Sequence, residues 1–148
     1  MMIKNVMLID DNKIDLFVNQ RIIEKYNPNI KTRVFNNAIS AISFFKLLEL
    51  NSKIKSVAIP DVILLDINMP EMNGFNFFKE FKLLNFLNTR AIEVYMVSSS
   101  MCSVDINKAR NEPYCAGYIT KPLTVSKLKN VLNKSENIEQ NEPFKKII

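Results

Sequence analysis

The sequence predicts an α/β fold, a doubly wound sheet of five parallel strands covered on both faces by five helices. Three observations predict it. Short apolar runs alternate with segments of helical periodicity five times along the chain, and such alternation implies right-handed crossovers and a parallel sheet. The run from Asp61 to Asp66 is apolar throughout its middle, as a strand buried on both faces must be. The length of 148 residues suits one domain with a proper core and leaves little room for two.

The elements follow in order. Residues 5–9 read as a buried strand. Asn12 can cap a helix from about Lys13 to Tyr26, whose inward stripe is read as Ile14, Phe17, Val18, the stem of Arg21, Ile22 and Lys25. Asn27-Pro28-Asn29 stops it, and Lys31 to Phe35 is a short strand. Asn37 to Glu49 is helical, with Ala38, Ala41, Ile42, Phe45 and Leu48 on one side. A polar loop from Asn51 to Ser56 leads past Pro60 into the central strand, Asp61 to Leu65. Pro70 through Gly74 makes a turn, with Asn73-Gly74 suited to turn geometry.

The next helix, Phe75 to about Leu87, carries five phenylalanines, Phe75, Phe77, Phe78, Phe81 and Phe86. The spacing of Phe75, Phe78 and Phe81 suits a core face and leaves Phe77 and Leu84 partly exposed. Ile92 to Val97 is the fourth strand and ends in Ser98-Ser99-Ser100. A less regular helix from about Ser103 to Arg110, a fifth strand from Cys115 to Ile119, and a last helix from Leu123 to Leu132 complete the alternation. Val125, Leu128, Val131 and Leu132 face inward on that helix. The domain is therefore set at residues 1–133, with a polar tail, 134–148, expected to be frayed helix or disordered.

Composition removes several functions. There is no histidine, which excludes zinc chemistry built on histidine and histidine acid–base catalysis. Cys102 and Cys115 lack metal-ligand spacing, and their usage fits a reduced, cytoplasmic chain. With only Gly74 and Gly117, there is no glycine-rich phosphate loop. The net charge of +5 lies in the body, because acids and lysines balance from Lys134 onward, and it is too diffuse to argue for nucleic acid. No apolar run reaches the roughly 20 residues of a membrane span, and the N-terminus is not a signal peptide.

Chemistry gathers at the carboxyl ends of the strands, where open α/β sheets place their ligands. Asp10 and Asp11 end the first apolar run, Asp66 ends the third and Lys121 follows the fifth. Adjacent carboxylates opposite a third suit Mg2+, a hard cation that takes oxygen ligands and keeps several waters. Without a cation the three acids repel each other and raise one pKa. Lys121 adds a compact positive charge for phosphoryl oxygens, and Ser98 a hydroxyl donor. Neutralising and orienting phosphoryl oxygens is most of what phosphoryl transfer asks of a protein.

In this order and spacing, the pieces Leu8-Ile9-Asp10-Asp11-Asn12, Leu64-Leu65-Asp66-Ile67-Asn68-Met69-Pro70 with Gly74, Ser98 in Met96-Val97-Ser98-Ser99-Ser100, and Gly117-Tyr118-Ile119-Thr120-Lys121-Pro122-Leu123 resemble a response-regulator receiver domain, the phospho-acceptor module of two-component signalling. The resemblance covers residues 4 to about 133 and implies the flavodoxin-like, CheY-like strand order 2-1-3-4-5. It implies that Asp66 takes a phosphoryl group from a phosphohistidine on a sensor histidine kinase or histidine phosphotransfer protein. Asp11 and Asp66 would ligate Mg2+ directly, Asp10 through water, and Asn68 through its backbone carbonyl. Ser98 and Tyr118 match the switch pair, Lys121 the phosphoryl partner, and Asn68 and Ser100 the positions that tune self-dephosphorylation. The Lys121–Pro122 bond is expected to be cis.

The resemblance departs in small ways: serine follows Ser98 where many members have alanine, Asn73-Gly74 stands for Asp-Gly, and the loop before Asp61 is somewhat long. The receiver is expected to stand alone, without an effector domain after the fifth helix, so the expected output is a changed surface on the fourth helix, fifth strand and fifth helix, read by another protein or used for homodimer formation. The rival reading is a receiver-fold adaptor whose docking ignores phosphorylation; the complete set Asp10, Asp11, Asp66, Ser98 and Lys121 counts against it. A hydrolase of free phosphate esters lacks a general base, and direct DNA binding lacks an output helix.

Overall fold

In the computed structural model, which describes residues 2–51, 59–85, 92–133 and 146–148, the five expected strands all form and all run parallel. They are β1 (Asn5–Ile9), β2 (Lys31–Phe35), β3 (Val62–Asp66), β4 (Glu93–Ser98) and β5 (Cys115–Thr120), standing in the order β2-β1-β3-β4-β5. The strand order implied by the resemblance is therefore the observed one. The helices are α1 (Lys13–Tyr26), α2 (Ala38–Leu50), α3 (Gly74–Phe81), α4 (Ser103–Asn111) and α5 (Val125–Leu132).

Strand alternation sorts the core into two layers. Met7, Ile9, Ile63, Leu65 and Met96 face a layer completed by α2, by Phe77, Phe78 and Phe81 of α3, and by Ala109 of α4. Val6, Leu8, Val62, Leu64 and Val97 face the other, completed by Leu16 and Ile23 of α1 and by Leu128, Val131 and Leu132 of α5. Every residue of β3 is buried, as its unbroken apolar run requires. At the opposite edge from the strand tips, the Asp61 carboxylate accepts the Lys4 and Asn5 backbone N–H groups at 2.8 and 2.9 Å and pins the start of β1.

Asn12 caps α1 as expected, its side chain accepting from the Ile14 and Asp15 N–H groups. The face α1 buries is different from the expected one. Leu16, Asn19 and Ile23 point inward, with Ile22 of the expected stripe packed beside them, whereas Ile14, Phe17 and Val18 are 74%, 58% and 44% exposed, and Arg21 and Lys25 are exposed as well. The buried stripe is interrupted by a polar residue, Asn19, so apolar spacing alone selected the wrong side. The exposed Phe17 ring instead carries the Arg21 guanidinium 5.3 Å from its centroid.

Helix α3 is also rotated from its expected face. Phe77 is fully buried and stacked on Phe81 at 5.2 Å, and Leu84 is buried beyond the helix end. Phe75 is only partly buried, under the Lys108 ammonium. Phe86 and Leu87, like most of the polar loop after Asn51, lie outside the described residues.

The chain end departs further from expectation. Lys146–Ile147 forms a short strand, β6, which adds parallel to β5 and makes the sheet six-stranded. The Ile148 N–H donates to the Tyr118 carbonyl at 2.7 Å and the Thr120 N–H donates to the Ile148 carbonyl at 2.9 Å. These bonds occupy backbone groups that an edge strand otherwise leaves unpaired. Residues 134–145 of the expected tail lie outside the described residues.

Candidate phospho-acceptor site

Parallel register brings the strand tips level. Ile9 pairs with Leu65, Asp66 with Val97 and Ser98 with Thr120, so Asp10, Asp11, Asp66, Ser98 and Lys121 emerge at one edge of the sheet. The Lys121 N–H donates to the Ser98 carbonyl at 2.9 Å, and the Lys121–Pro122 bond is cis. Lys127 of α5 holds the same turn, its ammonium donating to the carbonyls of Thr120 and Pro122 at 2.6 and 3.0 Å.

Asp10 and Asp66 are buried and Asp11 is exposed, and their carboxylate oxygens lie within 4.8 Å of one another. This is the one set of three acidic or metal-ligating residues so grouped among the described residues. Lys121 donates to Asp10 at 3.0 Å and to Asp15 at 2.9 Å, and its ammonium stands 3.4 Å from Asp66. One ammonium cannot balance four carboxylates, and hard oxygen donors in excess of local positive charge are the donor set a divalent cation fits.

Electrostatics follow from this crowding. Burial, reinforced by the Asp10 charge and opposed by Lys121, pushes the Asp66 carboxyl up to about 6 from the usual 3.8. Burial acts to lower the Lys121 pKa, but its hydrogen bonds to Asp15 and Asp10 and the nearby Asp66 charge outweigh burial and hold it above the usual lysine range. Lys121 is therefore cationic at any physiological pH.

The remaining expected residues surround this centre. Ser98 is buried and its Oγ accepts the Ser100 N–H at 3.1 Å. The Ser100 hydroxyl donates to Asp105 at 2.8 Å and accepts the Cys102 N–H, so it serves the start of α4. Tyr118 is turned in and buried, with its hydroxyl on the Ser100 carbonyl at 2.7 Å. Asn68 is exposed, two residues past Asp66.

In the turn that follows, Asn73 forms a capping box with Asn76 rather than a hairpin-like turn with Gly74. The left-handed residue is Glu71, at φ 66°, where the Met72 N–H donates back to the Pro70 carbonyl at 2.7 Å. A side chain is disfavoured there, so Glu71→Gly is expected to raise stability by up to about 1 kcal/mol, seen as a higher urea midpoint. An unchanged or lower midpoint counts against strain at that residue.

Sequence reasoning missed Asp15 and Lys127. Asp15 sits three residues past the Asn12 cap, which returns its side chain to the strand tips; that spacing was the available signal. Lys127 gave none, because its acceptors are two backbone carbonyls and the Thr120 hydroxyl, none of which marks a lysine partner in the sequence.

The model of the response regulator receiver domain family matches residues 6–133. The chain belongs to the response-regulator receiver family. A solved two-component response regulator from Cytophaga hutchinsonii is 30% identical, with a TM-score of 0.77 over 90% of this chain and 97% of that one. A response regulator receiver protein from Dyadobacter fermentans is also 30% identical, with a TM-score of 0.73 over 88% and 96% of the two chains. Among curated proteins, the polar-differentiation response regulator DivK of Brucella anthropi is 31% identical over 123 residues, 82% of this chain and 87% of that protein. This receiver is a phosphoryl-accepting module, and its Asp10, Asp11 and Asp66 cluster is able to coordinate a divalent cation. None of the helices among its described residues is long and apolar enough to cross a membrane.

Proposed function

We propose that Asp66 is the phospho-acceptor of a phosphorelay and that a phosphohistidine on a histidine kinase or phosphotransfer protein is the donor. The observation that carries this reading is the position of Asp66, a buried carboxylate grouped with Asp10 and Asp11 and 3.4 Å from the Lys121 ammonium. An Asp66 oxygen attacks phosphorus, the bond from phosphorus to the donor imidazole nitrogen breaks, and an acyl phosphate remains. With a pKa of about 6, Asp66 is mostly ionised at neutral pH and is ready as a nucleophile. Lys121 then serves the new phosphoryl oxygens as a point charge.

The cation this reading calls for is Mg2+, which Asp11 and Asp66 would hold directly, Asp10 through water and Asn68 through its backbone carbonyl. When bound it offsets the carboxylate charge and polarises the phosphoryl group. Ser98 supplies a hydroxyl to the phosphoryl oxygens, and Tyr118 couples its movement to the surface of α4, β5 and α5. A downstream protein reads that surface, which also serves for self-association. Asn68 and Ser100 set the rate at which the acyl phosphate hydrolyses. We place the receiver unit at residues 1–133, with β6 from the chain end added to its sheet, in the cytoplasm.

Incubation with acetyl phosphate and Mg2+ is expected to add one phosphoryl group, seen as an intact-mass shift that Asp66→Asn removes. A wild-type protein that stays unmodified, or an adduct that survives in Asp66→Asn, rules the reading out. The rival, phosphorylation-independent docking predicts equal partner affinity for the wild type with and without beryllofluoride.

A further inference from the structure

We propose that Asp15 is a positioning residue that holds the Lys121 ammonium on the α1 side of the site and so restrains phosphoryl transfer. The inference rests on the reading of Asp66 as acceptor and Lys121 as its phosphoryl partner. Lys121 makes its shortest contact with Asp15, at 2.9 Å, its next with Asp10 at 3.0 Å, and stands farther from Asp66 at 3.4 Å. An ammonium has three donors, and two of them are given to acids that do not accept the phosphoryl group.

The restraint is built into the start of α1. Asn12 uses its side-chain oxygen to accept the Asp15 N–H at 3.2 Å and its own N–H to reach Asp10 at 2.9 Å, so one residue fixes both anchors of Lys121. Among the described residues, Lys121 is the one cation within ion-pair distance of the Asp15 carboxylate. A cavity of about 250 Å3 lined by Asp15, Val18, Asn19, Lys121, Pro122 and Leu123 adjoins the pair and leaves the flexible lysine stem room to move. A phosphoryl group arriving at Asp66 competes with Asp15 for the Lys121 ammonium, and that competition opposes phosphorylation. Removing the Asp15 charge while keeping its shape should release the lysine.

The test is the rate of Asp66 phosphorylation by acetyl phosphate with saturating Mg2+, in wild type, Asp15→Asn, Lys121→Ala and the double variant. Asp15→Asn is expected to react about three- to tenfold faster than wild type, the size of one charge-assisted hydrogen bond reduced by partial exposure. In the Lys121→Ala background the same substitution is expected to change the rate by less than about twofold, because no ammonium remains to be released. Beryllofluoride gives a second reading that needs no phosphoryl donor, since the carboxylate only displaces a fluoride or water from beryllium, and its half-saturating concentration should fall by the same factor in Asp15→Asn.

An equal acceleration in both backgrounds would mean that Asp15 acts only through bulk charge, and it overturns the proposal. A slower or unchanged Asp15→Asn, or an unchanged beryllofluoride half-saturation, also overturns it. Wild type that gains no adduct at Asp66 overturns the acceptor reading itself, whereas wild type that is modified but shows no Lys121-dependent gain overturns only the role of Asp15.

Discussion

Asp66→Asn is expected to end phosphoryl transfer and, at the same time, to make the metal-free receiver more stable at pH 8. The two effects share one cause. Folding buries Asp66 beside Asp10 and lifts its pKa from 3.8 to about 6, Lys121 notwithstanding. Between those values the folded chain keeps a proton that the unfolded chain has released, so stability falls as pH rises through the window. Below about pH 3.8 both states are protonated at Asp66 and the penalty is absent; above about pH 6 it is complete, on the order of 1–3 kcal/mol once solvent screening is allowed for. Asparagine keeps the shape without the charge, and the penalty goes with it.

Urea unfolding followed by far-UV circular dichroism, with EDTA present, is expected to show the variant ahead by about 1–3 kcal/mol at pH 8 and by clearly less at pH 4.5. A variant no more stable than wild type at pH 8 rejects the electrostatic account. Adding Mg2+ should stabilise wild type by mass action and leave the variant nearly unchanged. The proposed acceptor is thus a place where the fold gives up stability to keep a carboxylate out of water.

The same physics decides what could be read from the sequence. Strand tips were legible because β1, β3 and β4 are buried on both faces, so their apolar runs end where the crevice opens, at Asp10, Asp66 and Ser98. The Asn12 cap was legible for an equally local reason, since its side chain satisfies backbone N–H groups within three residues, whereas Asn37, read as the first helical residue, is the cap of α2. Helix faces were not. On α1 the stripe through Ile14, Phe17 and Val18 is as apolar as the buried one through Leu16, Asn19 and Ile23, and only packing against the sheet and α5 chooses between them. On α3, Phe77 and Phe75 compete in the same way, and the one that stacks on Phe81, itself edge-on to Phe45 of α2, is buried. The role of Asp15 depends on a lysine 106 residues away, and β6 on a pairing with β5 across the intervening fifth helix; neither leaves a local pattern.

Gly74→Ala tests how tightly the acceptor strand is seated. Gly74 is the first residue of α3 and no glycine among the described residues has a positive φ, so its value lies in space rather than in backbone freedom. A Cβ there would stand 2.6 Å from the Asp66 carbonyl oxygen, 2.7 Å from the Met96 methyl and 3.1 Å from the Ile67 Cα. The Met96 methyl can swing aside, but the carbonyl belongs to the acceptor residue itself and is fixed by β3. The Gly74 N–H also donates to the Ile67 carbonyl at 2.9 Å, which prevents the helix from simply backing away. Alanine offers about 1 kcal/mol through helix propensity, and overpacking against backbone removes more than that. A net loss of about 1–3 kcal/mol is expected in urea unfolding, with slower phosphorylation of the folded variant because Asp66 is pushed from its place among Asp10, Asp11 and Lys121. Serine, which adds the same Cβ, should behave like alanine, and variants as stable and as reactive as wild type would show that the end of β3 yields to α3 without strain.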